Sequence, residues 1–327
     1  MKSMNRRRFI EGSTLLALAP YLGKAVAQEI PRSHFAANAT AEDVTAGIDM
    51  TGKTVVVTGC NSGIGLETMR VLALRGAHVI GTARTRAKAA EAAQRVNGQV
   101  TPVACELEDR RSIRTCAEAV GALGHPLDVC IANAGIMALP TLEQIEGIEK
   151  QFATNHLGHY LLVRLLQPQI EAARVGRVVV VSSAAHVQAP DVGIEFDNLS
   201  GERGYRPWRA YGQSKLANIL FAKALATRLP SGRTANALHP GVIATNLGRH
   251  MNPLFAGAAK AAMRLFAKSV EQGAATSCYV ATRPELSGIT GQYFSDCAVV
   301  EPSRMARDEA LAERLWETSA KLVGLDA

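Results

Sequence analysis

From Lys53 onward the chain alternates short runs of β-branched and other apolar residues with longer stretches of helical period. That alternation is the pattern of parallel strands joined by crossover helices. Strands are predicted at 54–58, 78–82, 100–104, 127–132, 177–182, 234–238 and 291–293, and helices at 65–75, 86–96, 110–123, 145–167, 209–228 and 270–281. The fifth run, Val178-Val179-Val180-Val181, has no polar alternation, as expected of a strand covered on both faces. Together these elements predict a single doubly wound α/β domain of Rossmann type, from about residue 51 to 327, with a seven-stranded parallel sheet flanked by helices.

Chemistry-bearing residues fall at the ends of those strands. The first strand runs through Thr58 into Gly59-Cys60-Asn61-Ser62-Gly63-Ile64-Gly65 and then directly into a helix. Glycines there let the chain turn sharply and bring backbone N–H groups and a helix N-terminus up to a pyrophosphate. At the end of the second strand a carboxylate would grip a ribose 2′-hydroxyl and a cation would accept a 2′-phosphate. The residues there are Thr82-Ala83-Arg84-Thr85-Arg86-Ala87-Lys88, with no acid, so NADP(H) is the expected cofactor with Arg84 as its main contact, and NAD(H) stays open.

The third strand leads into Cys105-Glu106-Leu107, which could lie along an adenine, and the fourth into Asn133-Ala134-Gly135, small enough for the backbone to pass close to a cofactor. Ser182-Ser183 closes the fifth strand and delivers a hydroxyl into the ligand crevice. Asn155 lies inside a helical run although asparagine is a poor helix former, so its amide is either solvated or specifically used. Finally, Tyr211 and Lys215 stand four residues apart in a helix and leave it on one face. An ammonium beside a phenol favours the phenolate, which suits the tyrosine to act as acid or base.

These residues in this order, with His239-Pro240-Gly241-Val242-Ile243-Ala244-Thr245, resemble the short-chain dehydrogenase/reductases from about Lys53 to at least Asp296. More narrowly, Phe196-Asp197-Asn198-Leu199, the run from Ala210 to Asn218, and His239 to His250 are similar to the retinol dehydrogenase-like branch, which also reduces other lipophilic carbonyls. The resemblance implies that Tyr211 is the general acid in reduction and the base in oxidation. It implies that Lys215 lowers the pKa of Tyr211 and bonds the nicotinamide ribose, that Ser183 holds the substrate oxygen, and that Asn155 helps a water-linked proton path reach Lys215. Pro240, Gly241, Ile243 and Thr245 would close over the carboxamide and pyrophosphate. Glu106 departs from the aspartate usual in the family. Double-bond reduction on the same fold, and a non-catalytic cofactor-binding protein, are the alternatives to alcohol/carbonyl exchange.

The remaining features bound the surroundings. Of the formal charge of +7, residues 1–27 hold +4 (Lys2, Arg6, Arg7, Arg8 and Lys24 against Glu11) and the rest of the chain +3, too mild a balance for a nucleic-acid partner. Six cysteines show no paired or metal-ligand spacing and are expected as free, mostly buried thiols, with no metal. Residues 1–28 carry a basic start, an apolar centre too short for a membrane span, and Ala25-Val26-Ala27 before Gln28. Within them, Asn5-Arg6-Arg7-Arg8-Phe9-Ile10 resembles a twin-arginine signal, which implies contact with that export machinery and a periplasmic or exported product. Residues 31–49 read as a linker or arm. Two long segments, 184–210 and 250–268, contain His186, Phe196, Tyr205 and Trp208 in the first and Met, Leu, Phe and Ala in the second. They predict a mostly apolar pocket for a small hydrophobic aldehyde, ketone or alcohol, with His186 a structural histidine. A homo-oligomer is compatible with this composition.

Overall fold

The computed structural model describes residues 33–243 and 267–326; the signal-like segment, Thr245 and nearly all of the 250–268 segment lie outside the described residues. The strands are β1 (Thr54–Thr58), β2 (His78–Ala83), β3 (Val100–Ala104), β4 (Val129–Ala132), β5 (Gln144–Ile145), β6 (Ile148–Glu149), β7 (Arg177–Val181), β8 (Thr234–His239), β9 (Tyr293–Ser295) and β10 (Ala298–Val299). β5 and β6 pair only with each other, and the rest form one sheet in the order β3-β2-β1-β4-β7-β8-β9-β10. Strand order reverses between β1 and β4, so their carboxyl ends open the crevice where ligands bind in such sheets.

The period of two along each strand divides the sheet residues between two cores. Val56, Ile80, Cys130 and Val180 belong to one, and Val55, Val57, Ile131 and Val179 to the other. Helices α1 (Ala41–Val44), α2 (Gly63–Leu74), α3 (Arg86–Ala93), α4 (Arg110–Gly121), α5 (Lys150–Phe152), α6 (Gly158–Ala172), α7 (Pro207–Ala226), α8 (Val270–Thr282) and α9 (Glu309–Val323) cover these faces. The six cysteines are all free and buried, and no group of His, Cys, Asp and Glu among the described residues could hold a metal ion.

Four expectations are corrected. The seven parallel strands are present, but an eighth, β10, turns back antiparallel on β9 through Asp296 and Cys297, both with positive φ. The seventh strand begins at Tyr293 rather than 291, because Gly291 has φ +71° and makes the turn that precedes it. The helix expected at 145–167 starts only at Lys150. Ahead of it Glu146 and Gly147, with φ +50° and +78°, form the tight turn of the β5–β6 hairpin. Glu149 then caps the helix by accepting from the Phe152 N–H at 2.8 Å, and the helix continues past Pro168 to Ala172, held by buried Leu166 and Ile170. The supposed arm, finally, lies against the domain from Ser33 on: Ala41 and Val44 of α1 are fully buried against α2 and α8, and Phe35 meets Tyr279 edge-on.

Candidate active site

Helix α7 starts with Pro207 at its first turn and carries Tyr211 and Lys215 on its buried face. The end of β7 is bound to that face. The Val181 carbonyl accepts from Lys215 Nζ and from Asn218 Nδ2, each at 3.1 Å, and Ser182 Oγ donates to the Lys215 carbonyl at 2.7 Å. Ser183 follows, half-buried; its hydroxyl accepts from the Ala185 N–H at 3.1 Å and lies near enough to the Tyr211 phenol to favour its ionised form. Its carbonyl accepts from His186 Nδ1 at 2.8 Å, while His186 Nε2 accepts from the Ser303 N–H at 3.1 Å. His186 is therefore a neutral strut between two backbone segments, as its burial also requires.

Burial, not mutual attraction, dominates the two key side chains. It pushes the Tyr211 phenol up to about 12, opposed by the Ser183 hydroxyl, and draws Lys215 down to about 8. The expectation that Lys215 lowers the Tyr211 pKa is thus not met here, because Nζ stands 5.7 Å from the Tyr211 ring centroid and points to Val181.

Asn155 resolves the alternative left open by the sequence. It sits in a π turn, Ala153–Leu157, fully buried. Its Oδ1 accepts from the Ile136 N–H at 2.8 Å, and its Nδ2 donates to the Ile136 carbonyl at 2.9 Å and to Ser214 Oγ at 3.0 Å. The amide therefore staples the chain just beyond Asn133-Ala134-Gly135 to the helix. A methyl group at Gly135 would lie 3.1 Å from Asn155 Oδ1 and 3.5 Å from Lys215 Nζ, so the three residues adjoin.

Across the crevice, Gly59 has φ +72°, and a Cβ at Gly65 would fall 2.3 Å from the Gly59 carbonyl oxygen and 2.5 Å from Asn133 Nδ2. Only glycine permits that closeness. Asn61 and Ser62 are exposed, with Gly63 and Ile64 beside them. Ser62 caps α2 without a side-chain hydrogen bond, and the first turn holds no acid. The first N–H groups of α2 thus face outward without a side-chain acceptor, which fits a dinucleotide pyrophosphate.

Of the predicted segment, Ile243 approaches the same loop, its Cδ1 packing at Gly273 beside Ile64, whereas Gly241 faces the Lys268 side chain and the Val242 carbonyl accepts from the Lys268 N–H at 2.8 Å. At the far end, Arg84 is exposed at the end of β2 and its charge pulls down on Glu106, whose carboxyl is nonetheless raised, by burial and then by Glu108. Leu107 is 6% exposed and packs under Gly158.

Two further clusters of contacts have no counterpart in the sequence reading. Thr58 Oγ1 accepts from the N–H groups of Asn133 and Ala134, both at 2.9 Å, and lies 2.8 Å from His159 Nε2. Gln151 Oε1 accepts from the N–H of Ala138 at 2.6 Å, and its Nε2 lies 3.1 Å from Tyr205 Oη, which donates to the Leu139 carbonyl at 2.7 Å. That clamp joins the loop after β4 to the segment entering α7. Only the spacing of His159, four after Asn155 on one helix face, was visible as a signal in the sequence.

The family model for short chain dehydrogenases matches residues 53–254. A chloroplastic short-chain dehydrogenase of Brassica napus, TIC 32 B, is 43% identical over 305 residues, 89% of this chain and 95% of that protein. Human retinol dehydrogenase 14 is 40% identical over 301 residues, covering 84% and 88%. Among solved structures, a protein from Mycobacterium paratuberculosis is 35% identical with a TM-score of 0.70, covering 86% of this chain and 97% of that one.

Proposed function

This chain belongs to the short-chain dehydrogenase family, and from that premise we propose that it is an NADP-dependent oxidoreductase interconverting a hydrophobic aldehyde or ketone and its alcohol. The observation that carries the reaction type is the buried Tyr211 phenol, whose pKa responds to the Ser183 hydroxyl at the strand end, with Lys215 beside it. A bound nicotinamide cofactor supplies or accepts the hydride. Tyr211 then gives its proton to the carbonyl oxygen, and Ser183 holds that oxygen, so no free alkoxide has to persist. Because burial keeps the phenol protonated, the free enzyme is poised for reduction at neutral pH. Of the three Lys215 donors, one is engaged by Val181, which leaves the others for the ribose and the proton path.

Substrate class rests on the surface. Among the described residues, five large hydrophobics are exposed, and two of them stand three residues in sequence from the site, Trp208 before Tyr211 and Val242 after His239. Trp208 stands edge-on to the Tyr211 ring at 6.1 Å. An exposed indole beside the proton donor supports an apolar substrate. The cation at Arg84, with no acid at the end of β2, supports NADP over NAD.

The deciding experiment is titration of the purified protein with NADPH and with NADH, followed by nicotinamide fluorescence, and then a screen of hydrophobic aldehydes and ketones for NADPH oxidation. Tight NADPH binding with turnover of apolar carbonyls is expected; failure to bind either cofactor would defeat the reading. The twin-arginine pattern of residues 5–10 supports export of the folded enzyme. Replacing Arg6 and Arg7 by lysine should then retain it in the cytoplasm, and unchanged export would refute the signal. Among the described residues, no helix is long and apolar enough to cross a membrane.

A further inference from the structure

His159 is fully buried between β1 and the π turn, and none of the roles above uses it. Its Nδ1 lies 2.9 Å from the Asn155 carbonyl oxygen, an atom that can only accept. Nδ1 therefore carries the proton. In a neutral imidazole Nε2 is then an acceptor, and its partner at 2.8 Å is Thr58 Oγ1, so the threonine hydroxyl donates to it. The other acceptor within reach of that hydroxyl, the Ile131 carbonyl, is 3.5 Å away. With its proton directed at His159, Thr58 Oγ1 turns its lone pairs to the N–H groups of Asn133 and Ala134. The ring stays neutral, because burial and then the Lys215 charge draw it down to about 4. The hydrogen bonds thus form one directed chain with no ambiguous link, from the Asn133 and Ala134 backbone through Thr58 and His159 to the Asn155 backbone.

We propose that His159 is a positioning residue of this site: fixed as the Nδ1–H tautomer, it directs the Thr58 hydroxyl and locks the Asn133-Ala134 turn to Asn155. The turn forms the crevice wall beside Gly59 and Gly65, and the side chain of Asn155 holds the adjoining backbone at Ile136. His159 thereby couples the cofactor wall to the residues beside Lys215, so that they move as one unit. A wall free to shift by an ångström would misalign cofactor against Tyr211 without removing any group that touches substrate.

The inference rests on the oxidoreductase reading, and its test includes readouts that need no turnover. In protein labelled with 15N at histidine, the wild type should show His159 as the Nδ1-protonated tautomer. Thr58→Val removes the donor to Nε2 and should shift that resonance, whereas Thr58→Ser should restore it. Thr58→Val and His159→Phe should each lower NADPH affinity and kcat by about tenfold, with little change in carbonyl KM, and the double variant should be scarcely worse than either alone. An Nε2–H tautomer in the wild type, additive losses in the double variant, or a folded His159→Phe enzyme with normal kcat and cofactor affinity would each overturn the proposal. Should His159→Phe not fold, the tautomer and the comparison of Thr58→Val with Thr58→Ser still decide it. A wild type that binds NADPH but reduces nothing would count against the oxidoreductase reading alone, since tautomer and affinity are measured without a substrate.

Discussion

Lys215 Nζ donates to the Val181 carbonyl at 3.1 Å, which ties the cation of α7 to the last residue of the strand that delivers Ser183. Tyr211, Ser183 and Lys215 are thus referred to one buried joint rather than to a loop. Rigid placement of this kind is what proton transfer to a reacting oxygen requires.

Tyr211→Phe deletes the transferable proton and keeps the ring. Turnover of any carbonyl substrate should fall by about 10²- to 10⁴-fold, with NADPH binding retained, as measured by steady-state kinetics beside fluorescence titration. Near-normal turnover would remove Tyr211 from its role. Ser183→Ala should also depress kcat, because the phenol loses a neighbouring hydroxyl that favours its ionised form and the substrate oxygen loses its proposed ligand.

The pH profile has a defined sign. Tyr211, raised to about 12, stays a phenol through the neutral range, and Lys215, lowered to about 8, loses its charge near that pH. For reduction, kcat/KM should be level below about pH 8 and decline above it; for alcohol oxidation, which needs the phenolate, it should climb as pH rises toward 8. Reduction that stays level well above pH 8 would contradict the assignment of Lys215.

Arg84→Asp places a carboxylate where the 2′-phosphate is expected, next to the half-buried Glu106. NADPH affinity should drop by at least about tenfold while NADH affinity holds or improves. Equal losses for the two cofactors in parallel titrations would show that Arg84 does not read the phosphate.

Trp208→Ala removes the exposed indole that stands beside the Tyr211 ring. KM for large apolar aldehydes should rise several-fold, while kcat changes less and small aldehydes are little affected. A uniform fall in kcat across all substrates would make Trp208 a support for Tyr211 instead of a substrate contact.

Acid should destabilise the fold through its buried histidines. His156 and His159 are fully buried and drawn down to about 3 and about 4 from 6.5, chiefly by burial. Below pH 6.5 the unfolded chain binds protons that the folded chain refuses, so stability is complete above that pH and is lost as pH falls toward 4. His239 is drawn down to about 4 as well, again chiefly by burial. With three such groups the slope approaches about 4 kcal/mol per pH unit, measurable by urea unfolding at several pH values. His156→Phe should lower it by about a third; an unchanged slope would mean that other groups control acid sensitivity.

The doubly wound domain was legible because strands covered on both faces need apolar runs, and β1, buried throughout, begins and ends where the sequence predicts. Shorter elements were not. Ile145 and Ile148, three apart, imitate a helix face, and two-residue strands such as β10 are too short to show any period. Helix α9 lies beyond the last strand of the alternation, although Ala312, Leu315, Trp316, Ser319, Ala320 and Val323 repeat at helical spacing.

For the site, local spacing determined that Tyr211 and Lys215 share a helix face and that Gly59 to Gly65 joins a strand to a helix, because both depend only on the backbone period of neighbouring residues. Tertiary structure alone decided that burial drives the two pKa values apart, that Leu107 turns into the core, and that the Asn155 amide is spent on Ile136. It also decided that Thr58 and His159, 101 residues apart in the chain, complete one hydrogen-bonded chain. Desolvation and hydrogen-bond direction are set by every atom packed around a group, and those neighbours come from strand ends that only folding brings together.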